Sequence, residues 1–254
     1  VKVISKSAFE KCDLRGTLDL SAICMISSYA FAGNQKLEGV TTGDTLLSIG
    51  DYAFASCKAL KDVTVTAAKV KYGTYVFTGC EALESFYVNA AVLPEGMFYE
   101  AKGLSSVKIG PDVKSIGQYA FRDTNVTAYE IDAANANFKV QTADYILSAD
   151  GATLIAVAPK VEGEFTAQNI GGASVNTIGK GAFSHNTKLT SIVLPTVTVV
   201  GDYGLSSVER LTSVSFGQLT YIGEYAFFET AISQMPDFNK DTQICRYAFG
   251  YTKL

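Results

Sequence analysis

The chain has 254 residues, with 21 Lys and Arg against 25 Asp and Glu, and its net charge at pH 7 is −4. With 48% hydrophobic and 18% charged residues, it fits neither a disordered polyelectrolyte nor a basic nucleic-acid-binding protein. A single histidine, His185, and five cysteines without a Cys-x-x-Cys pair exclude multi-histidine zinc sites and four-cysteine sites built on that pair.

No apolar run reaches the roughly 18 residues typical of a membrane span. The first nine residues carry patterned structure and lack the charged-then-apolar order of a secretion signal. We therefore expect a chain without a transmembrane segment.

A repeat of about 22 residues dominates the sequence. The segment Ile49-Gly50-Asp51-Tyr52-Ala53-Phe54 returns, with small changes, at residues 116–121, 200–205 and 222–227. Alignment on its last position gives ten copies with separations of 22, 23, 23, 21, 23, 62, 22, 22 and 22 residues, so one interval alone stands out. The aligned residues are Phe9, Phe31, Phe54, Phe77, Phe98, Phe121, Phe183, Leu205, Phe227 and Phe249.

After each aromatic residue comes a second block of the type Leu-x-x-Val-x-Val, as in Leu60, Val63 and Val65. Its alternating apolar positions predict a short strand with one buried face. Because a strand this short cannot bury that face alone, the copies must stack, with their strands pairing in parallel about 4.8 Å apart. The repeat therefore predicts a solenoid.

Three further columns have a structural role in such a stack. The Phe column is expected to fill the interior opposite the strands, with a tight helical turn beside it. Glycine four residues before the aromatic suits either a positive φ or a close backbone approach. Tyrosine two residues before it, in seven copies, favours a packing stack over a sugar-binding array. These glycines are Gly50, Gly73, Gly117, Gly179, Gly201 and Gly223.

The pattern Ile-Gly-x-x-Ala-Phe-x-x-Cys-x-x-Leu-x-x-Val-x-Ile, seen best at residues 49–65, resembles the BspA-type leucine-rich repeat of surface proteins from anaerobic bacteria and some protists. The resemblance implies an α/β fold: a right-handed leucine-rich-repeat solenoid with short parallel strands on its concave face and short helical turns opposite. It also implies an extracellular or cell-surface location and a binding role without enzymatic activity. Departures such as Tyr72, Val76 and Met97 affect the regularity of the repeat rather than the fold.

The 62-residue interval exceeds one repeat by about 40 residues, which we place at about residues 132–170. Within it, Tyr145-Ile146-Leu147 and Thr153–Val157 flank an Asp-Gly turn and predict a β-hairpin. Similar hairpins occur in the family that the chain resembles. The hairpin either braces the stack or serves as a contact arm, and the first role is favoured. We thus expect one solenoid over residues 1–254, interrupted by this hairpin.

Other motifs carry weaker signals. His185 is expected at the surface, since no G-x-S-x-G elbow or partner nucleophile accompanies it. Cys12, Cys57 and Cys80 each follow an aromatic by three residues, and free thiols are favoured, although consecutive copies place Cys57 and Cys80 near disulfide distance. Asp132-x-x-Asn135-x-Asn137 lacks the order of a calcium loop. We expect no catalytic residue, cofactor or metal.

The sequence predicts a monomeric binding or adhesion module that recognises a protein or glycan, host-derived or from a neighbouring cell, through the concave sheet. A residue between two buried strand positions must face outward, so Thr64, Tyr87, Lys108 and Glu130 are expected to form one exposed row. This row is the candidate ligand-binding surface. The alternative is a structural spacer within a larger surface protein, for which the row would be solvated sheet without a partner.

Overall fold

The structure is a computed structural model that describes residues 2–139 and 144–254. The chain forms two compact units. Unit 1 comprises Val1–Val126 and Glu130–Asn135, and unit 2 comprises Thr127–Tyr129 and Ala136–Leu254. Each unit is a β-solenoid of stacked copies and is described by itself. The expectation of one solenoid over residues 1–254 stays a prediction.

In unit 1, longer strands alternate with two-residue strands. The strands are β1 Val3–Ile4, β2 Arg15–Leu20, β3 Met25–Ile26, β4 Lys36–Thr42, β5 Ser48–Ile49, β6 Asp62–Thr64, β7 Lys71–Tyr72, β8 Ser85–Val88, β9 Val92–Leu93, β10 Ser106–Ile109 and β11 Ser115–Ile116; β12 is Ala128–Ile131. The longer strands form the parallel sets β2-β4-β6 and β8-β10, and the short ones form the parallel sets β1-β3-β5-β7 and β9-β11.

The strands of unit 2 are β13 Phe138–Lys139, β14 Tyr145–Ser148, β15 Thr153–Val157, β16 Gly163–Thr166, β17 Thr177–Ile178, β18 Leu189–Leu194, β19 Val199–Val200, β20 Ser213–Phe216, β21 Leu219–Ile222 and β22 Phe238–Ile244. They form sheets with the orders β13-β14-β15-β17-β19-β21-β22 and β16-β18-β20.

The predicted hairpin is present, since β14 and β15 pair antiparallel on either side of the Asp150-Gly151 turn. Its second strand also pairs in parallel with β17. The hairpin is therefore continuous with the sheet of the following copies.

The helical turns expected opposite the strands were wrong, and with them the α/β description. The only helix in the described ranges is a short 3₁₀ helix, Ala167–Ile170, near the hairpin. In copies such as that of Phe54, backbone N–H groups alternate between two acceptors. Ala53 and Ala55 donate to carbonyls three residues earlier, whereas Tyr52 and Phe54 donate to the next copy. An α-helix needs every N–H for its own i−4 carbonyl, so these segments remain turns.

The aromatic column lies in the core, as the repeat predicts, except at its ends, where Phe9 is 41% exposed and Phe249 is half-buried. Phe31, Phe54 and Phe77 are almost completely buried. Rings of successive copies stack nearly parallel, with centroids 5.2 Å apart for Phe31–Phe54 and 5.7 Å for Phe54–Phe77. Stacked and buried aromatic pairs of this kind stabilise the contact between copies beyond their area alone.

The glycine column serves close approach rather than positive φ. A Cβ on Gly50 would lie 2.5 Å from the backbone N of Ser28, and one on Gly73 would lie 2.5 Å from that of Asp51. Positive φ occurs instead two residues before the aromatic, for example at Tyr52 (φ 55) and Tyr225 (φ 53). Left-handed backbone at tyrosine is costly, and the tyrosine rings stack from copy to copy in compensation, as in Tyr29–Tyr52 at 5.0 Å.

Candidate functional site

All four residues of the predicted row are exposed, and two of them are directly adjacent. Tyr87 on β8 and Lys108 on β10 are register partners in a parallel pair. Tyr87 is 51% exposed although Phe86 and Val88 on either side of it are buried. Alternation along the strand thus holds this aromatic ring outward next to a lysine.

The other two members of the row lie on other strands of unit 1. Thr64 is on β6, and its register partner is Thr41 on β4. Since β6 belongs to a different sheet from β8, no strand pairing continues the row from Thr64 to Tyr87. Glu130 lies on β12. Just after the end of this strand, the Asp132 N–H donates to the Ile109 carbonyl.

Strand pairing in unit 1 is interrupted at the same point of the chain for the longer strands and for the short ones. No pairing joins β6 to β8 or β7 to β9 in the described part of unit 1. The connections differ in length here: only five residue steps separate Val88 from Leu93, whereas seven separate Val65 from Tyr72 and Ile109 from Ile116. Length alone does not divide the sheets, because β8 pairs with β10, and β9 with β11, across the same difference of two residues.

A proline distinguishes the interrupted side of this copy from the paired side. In the regular copies, the residue four before the aromatic donates its N–H to the preceding copy, as Gly73 does to Ile49 and Gly117 to Leu93, at 2.8 and 2.7 Å. In the copy of Phe98 this residue is Pro94, which has no N–H. The ladder bond from this position to the Tyr72 carbonyl cannot form, and β7 and β9 do not pair with each other.

A groove of about 680 Å³ occupies the interruption. We call it the connector groove, and it is lined by Ala68, Lys69, Val70, Lys71, Tyr72, Asn89, Ala90, Ala91, Val92, Asp112 and Lys114. The short connection, residues 89–92, contributes one part of the lining, and the longer connections before and after it contribute the rest. A smaller cavity of about 170 Å³ shares Ala68, Tyr72 and Asn89 with the groove and also touches Tyr87.

The charges around the connector groove are unbalanced. Lys69, Lys71 and Lys114 are exposed, and none of them forms an ion pair with another described residue. The one lining carboxylate, Asp112, accepts a hydrogen bond from the Asn89 amide at 3.2 Å, and its own N–H donates back to that side chain at 3.0 Å. The groove thus carries net positive charge in a chain whose net charge is −4.

The tyrosine in the groove stays neutral. Burial raises the pKa of the Tyr72 hydroxyl well above its ordinary value, because the phenolate would lose its hydration. Tyr72 therefore contributes a neutral aromatic surface to the groove at any physiological pH.

The remaining candidate residues have structural roles. Cys57 and Cys80 are free, buried thiols whose Sγ atoms donate to the Phe31 and Phe54 carbonyls at 3.3 and 3.2 Å. Burial raises the pKa of Cys57 to about 12, which makes the thiol unreactive. Asn135 is buried and donates to the Gly110 and Val113 carbonyls, at 2.7 and 3.0 Å.

His185 is half-buried rather than fully at the surface, and its backbone is left-handed, with φ 61. Within residues 2–139 and 144–254, no three His, Cys, Asp or Glu side chains are grouped so that they could hold a metal ion. Over the same residues, no helix is long and apolar enough to cross a membrane.

The sequence predicted Tyr87 and Lys108 but missed the connector groove. Two signals for it were present: the 21-residue interval before Phe98, and Pro94 at a position that is glycine in the copies on either side. Their meaning depends on knowing that the N–H at this position bonds the neighbouring copy.

Comparison with known proteins supports the fold. Residues 2–140 and 165–254 match the model of the BspA type leucine rich repeat region, in six copies. No curated protein sequence gives a significant match.

Two solved structures are similar over most of the chain. The pneumococcal vaccine antigen PcpA has 15% identity and a TM-score of 0.65, with 98% of this chain and 77% of that one covered. A leucine-rich cell surface protein from Faecalibacterium prausnitzii has 20% identity and a TM-score of 0.61, with 96% and 74% covered.

A leucine-rich repeat protein from Eubacterium ventriosum is similar as well, with 20% identity, a TM-score of 0.63, and 86% and 66% of the two chains covered. At these identities, the three structures share the fold with this chain.

Proposed function

The chain belongs to the BspA type leucine-rich repeat family, and on that premise we propose that it is a non-enzymatic binding module of a cell-surface or secreted protein. The family match and the surface proteins among the structures of similar fold support the location. The module recognises a protein or glycan through the outward face of the longer strands, and acts without a cofactor.

One observation carries the proposed binding role: the exposed Tyr87 beside Lys108 on paired strands. A tyrosine ring on a rigid strand buries a large area in a complex at low conformational cost. The adjacent lysine adds a hydrogen-bond donor and a charge that can orient a partner. Glu130, and Thr64 on the neighbouring sheet, complete the proposed surface.

The test is the double variant Tyr87→Ala, Lys108→Ala, assayed on arrays of extracellular-matrix proteins and of glycans. The matched control is Tyr251→Ala, Lys253→Ala, which makes the same two substitutions at exposed residues outside the strands. We expect the first variant to lose about tenfold or more in affinity for the partner that the unmodified protein captures, as is typical for the centre of an interface. The control is expected to keep it.

Thermal unfolding measured in parallel separates binding from stability, since both variants alter exposed side chains only. Equal binding by the two variants would remove Tyr87 and Lys108 as the contact surface. An unmodified protein that captures nothing on either array would favour the spacer function over the binding function.

A further inference from the structure

We propose that the connector groove binds an acidic peptide segment of a protein partner in an extended conformation. This inference rests on the proposed binding function and names the chemistry of the element that would dock. Three features of the groove support it: its charge, its apolar lining and its unpaired strand edge.

Charge selects an anionic ligand. The three lysines of the groove have no carboxylate partner among the described residues, and Asp112 is engaged by Asn89. Lysine side chains are compact, strongly hydrated charges that attract carboxylates without demanding one geometry. A peptide with two or three Asp or Glu residues would complement this arrangement.

The lining selects a ligand that is also apolar. Val70 and Ala90 are buried, while Ala91 and Val92 expose their side chains to the groove, with Val92 50% exposed. The volume of about 680 Å³ lies in the range of sites that enclose small ligands or a few side chains. Small residues in the lining leave room for a leucine-sized group between the lysines.

The backbone of β7 selects an extended peptide. Lys71 and Gly73 donate their N–H groups to Leu47 and Ile49 on the side of β5. Because the backbone groups of a parallel strand alternate in direction, the N–H and C=O of Tyr72 face the opposite side, where β9 does not pair. A peptide that enters the groove beside Tyr72 has both the donor and the acceptor to satisfy them, without a whole strand being added, because β9 lies close to β7 on this side.

A carboxylated glycan fits less well. Sugar hydroxyls need many free polar partners, and the one side-chain amide in the lining, Asn89, is already bonded to Asp112 through both of its polar atoms. The apolar residues 90–92 offer a sugar ring no hydrogen bond from their side chains. These observations favour the peptide.

The experiment measures binding of the fluorescein-labelled peptide Asp-Glu-Leu-Asp-Leu-Glu-Asp by fluorescence anisotropy. Its comparators replace every acid by the amide, or both leucines by alanine. Oligogalacturonate represents carboxylated glycans and dodecanoate represents amphiphilic small anions. We expect the parent peptide to bind more tightly than all four, and its affinity to fall as salt rises from about 0.05 to 0.5 M, because the lysines are exposed.

The protein variants test the location. Affinity for the parent peptide should fall by about tenfold in the triple variant Lys69→Gln, Lys71→Gln, Lys114→Gln. The control variant Lys2→Gln, Lys6→Gln, Lys240→Gln makes the same charge change at other exposed lysines, and its affinity should fall by less than about twofold. Ala91→Phe fills the groove from an exposed position without any charge change and should weaken binding as the first variant does.

Equal loss in the two lysine variants, undiminished binding to Ala91→Phe, or no binding of the parent peptide would each overturn the proposal. Tighter binding of oligogalacturonate or dodecanoate would replace the peptide by that ligand class. Tyr87→Ala, Lys108→Ala distinguishes this proposal from the proposed function, because it should lose the array partner but keep the peptide. If only the groove variants lose binding of the array partner, the result would support the groove as the binding site and remove the row of Tyr87 and Lys108.

Discussion

The ladders that contain the two-residue strands form by the same backbone hydrogen bond in unit 1 and unit 2, with different outcomes. In unit 2, β15, β17, β19, β21 and β22 pair without interruption, and the N–H groups of Gly179, Gly201, Gly223 and Cys245 each donate to the preceding copy at 2.8–2.9 Å. In unit 1, the equivalent ladder divides where Pro94 takes this position. Cys245 shows that a side chain is tolerated there. Continuity therefore depends on one N–H per copy.

The tyrosine stacks show the same contrast. In unit 2, Tyr203, Tyr225 and Tyr247 follow one another at 4.9 and 5.1 Å. In unit 1, the stack of Tyr29, Tyr52 and Tyr75 ends at Gly96, where an added Cβ would collide with the Tyr75 ring. The copy of Phe98 thus departs from the pattern in its length, at Pro94 and at Gly96.

The largest expected effect concerns the core, which both units share. Phe54→Ala in unit 1 and Phe227→Ala in unit 2 should each lower the free energy of unfolding by about 3–5 kcal/mol, because a buried ring is lost and a cavity remains. Urea denaturation measures the loss. Tyr87→Ala, at an exposed position, is the control and should cost less than about 1 kcal/mol. A cost that small for either phenylalanine would contradict its place in the core.

A proline should create in unit 2 the interruption that unit 1 already has. Gly201→Pro removes the N–H that bonds Ile178 at 2.8 Å and places a ring where a Cβ would lie 3.1 Å from backbone atoms of the preceding copy. We expect a loss of about 3 kcal/mol and faster amide exchange at neighbouring residues of β17 and β19. Gly201→Ala, which keeps the N–H, is the matched control. An equal loss of stability in the two variants would show that steric crowding, and not the missing hydrogen bond, interrupts the ladder.

The converse change should repair unit 1. Pro94→Gly, combined with insertion of two residues between Val88 and Leu93, restores both the donor and the length of the regular copies. We expect a gain of about 1 kcal/mol, as for one net backbone hydrogen bond, and slower exchange of the Tyr72 amide. The connector groove should close and its peptide binding should disappear. Pro94→Gly alone is the control, and full repair by it would show that the shorter connection has no part in the interruption.

The sequence predicted the buried apolar positions of each copy, but not the features that depend on backbone hydrogen bonds between copies. Phe54 and Leu60 recur because the interior of every copy needs apolar groups there, so spacing revealed them. The hairpin followed from the Asp150-Gly151 turn. Helical turns were expected from the family resemblance and from the small Ala53 beside the aromatic residue, but the N–H groups of Tyr52 and Phe54 bond the next copy. Apolar spacing carries no information about these bonds.

The candidate site divides in the same way. Tyr87 and Lys108 were predictable, since strand alternation alone puts them outward. The connector groove depends on the relation between two successive copies, through Pro94 and the length of one connection. Thr64 was assigned to the same row because β6 and β8 were assumed to pair.

The interruption at Pro94 also has a mechanical consequence. Around it, the turns remain joined by bonds from Tyr75 to Glu95, Phe77 to Met97 and Gly79 to Tyr99, at 2.8–3.0 Å, while the sheet edges share none. A pulling force on a repeat stack is resisted by the bonds that cross each boundary between copies. In unit 1, shear should therefore concentrate at this boundary, where the first extension step in a single-molecule pulling experiment would begin.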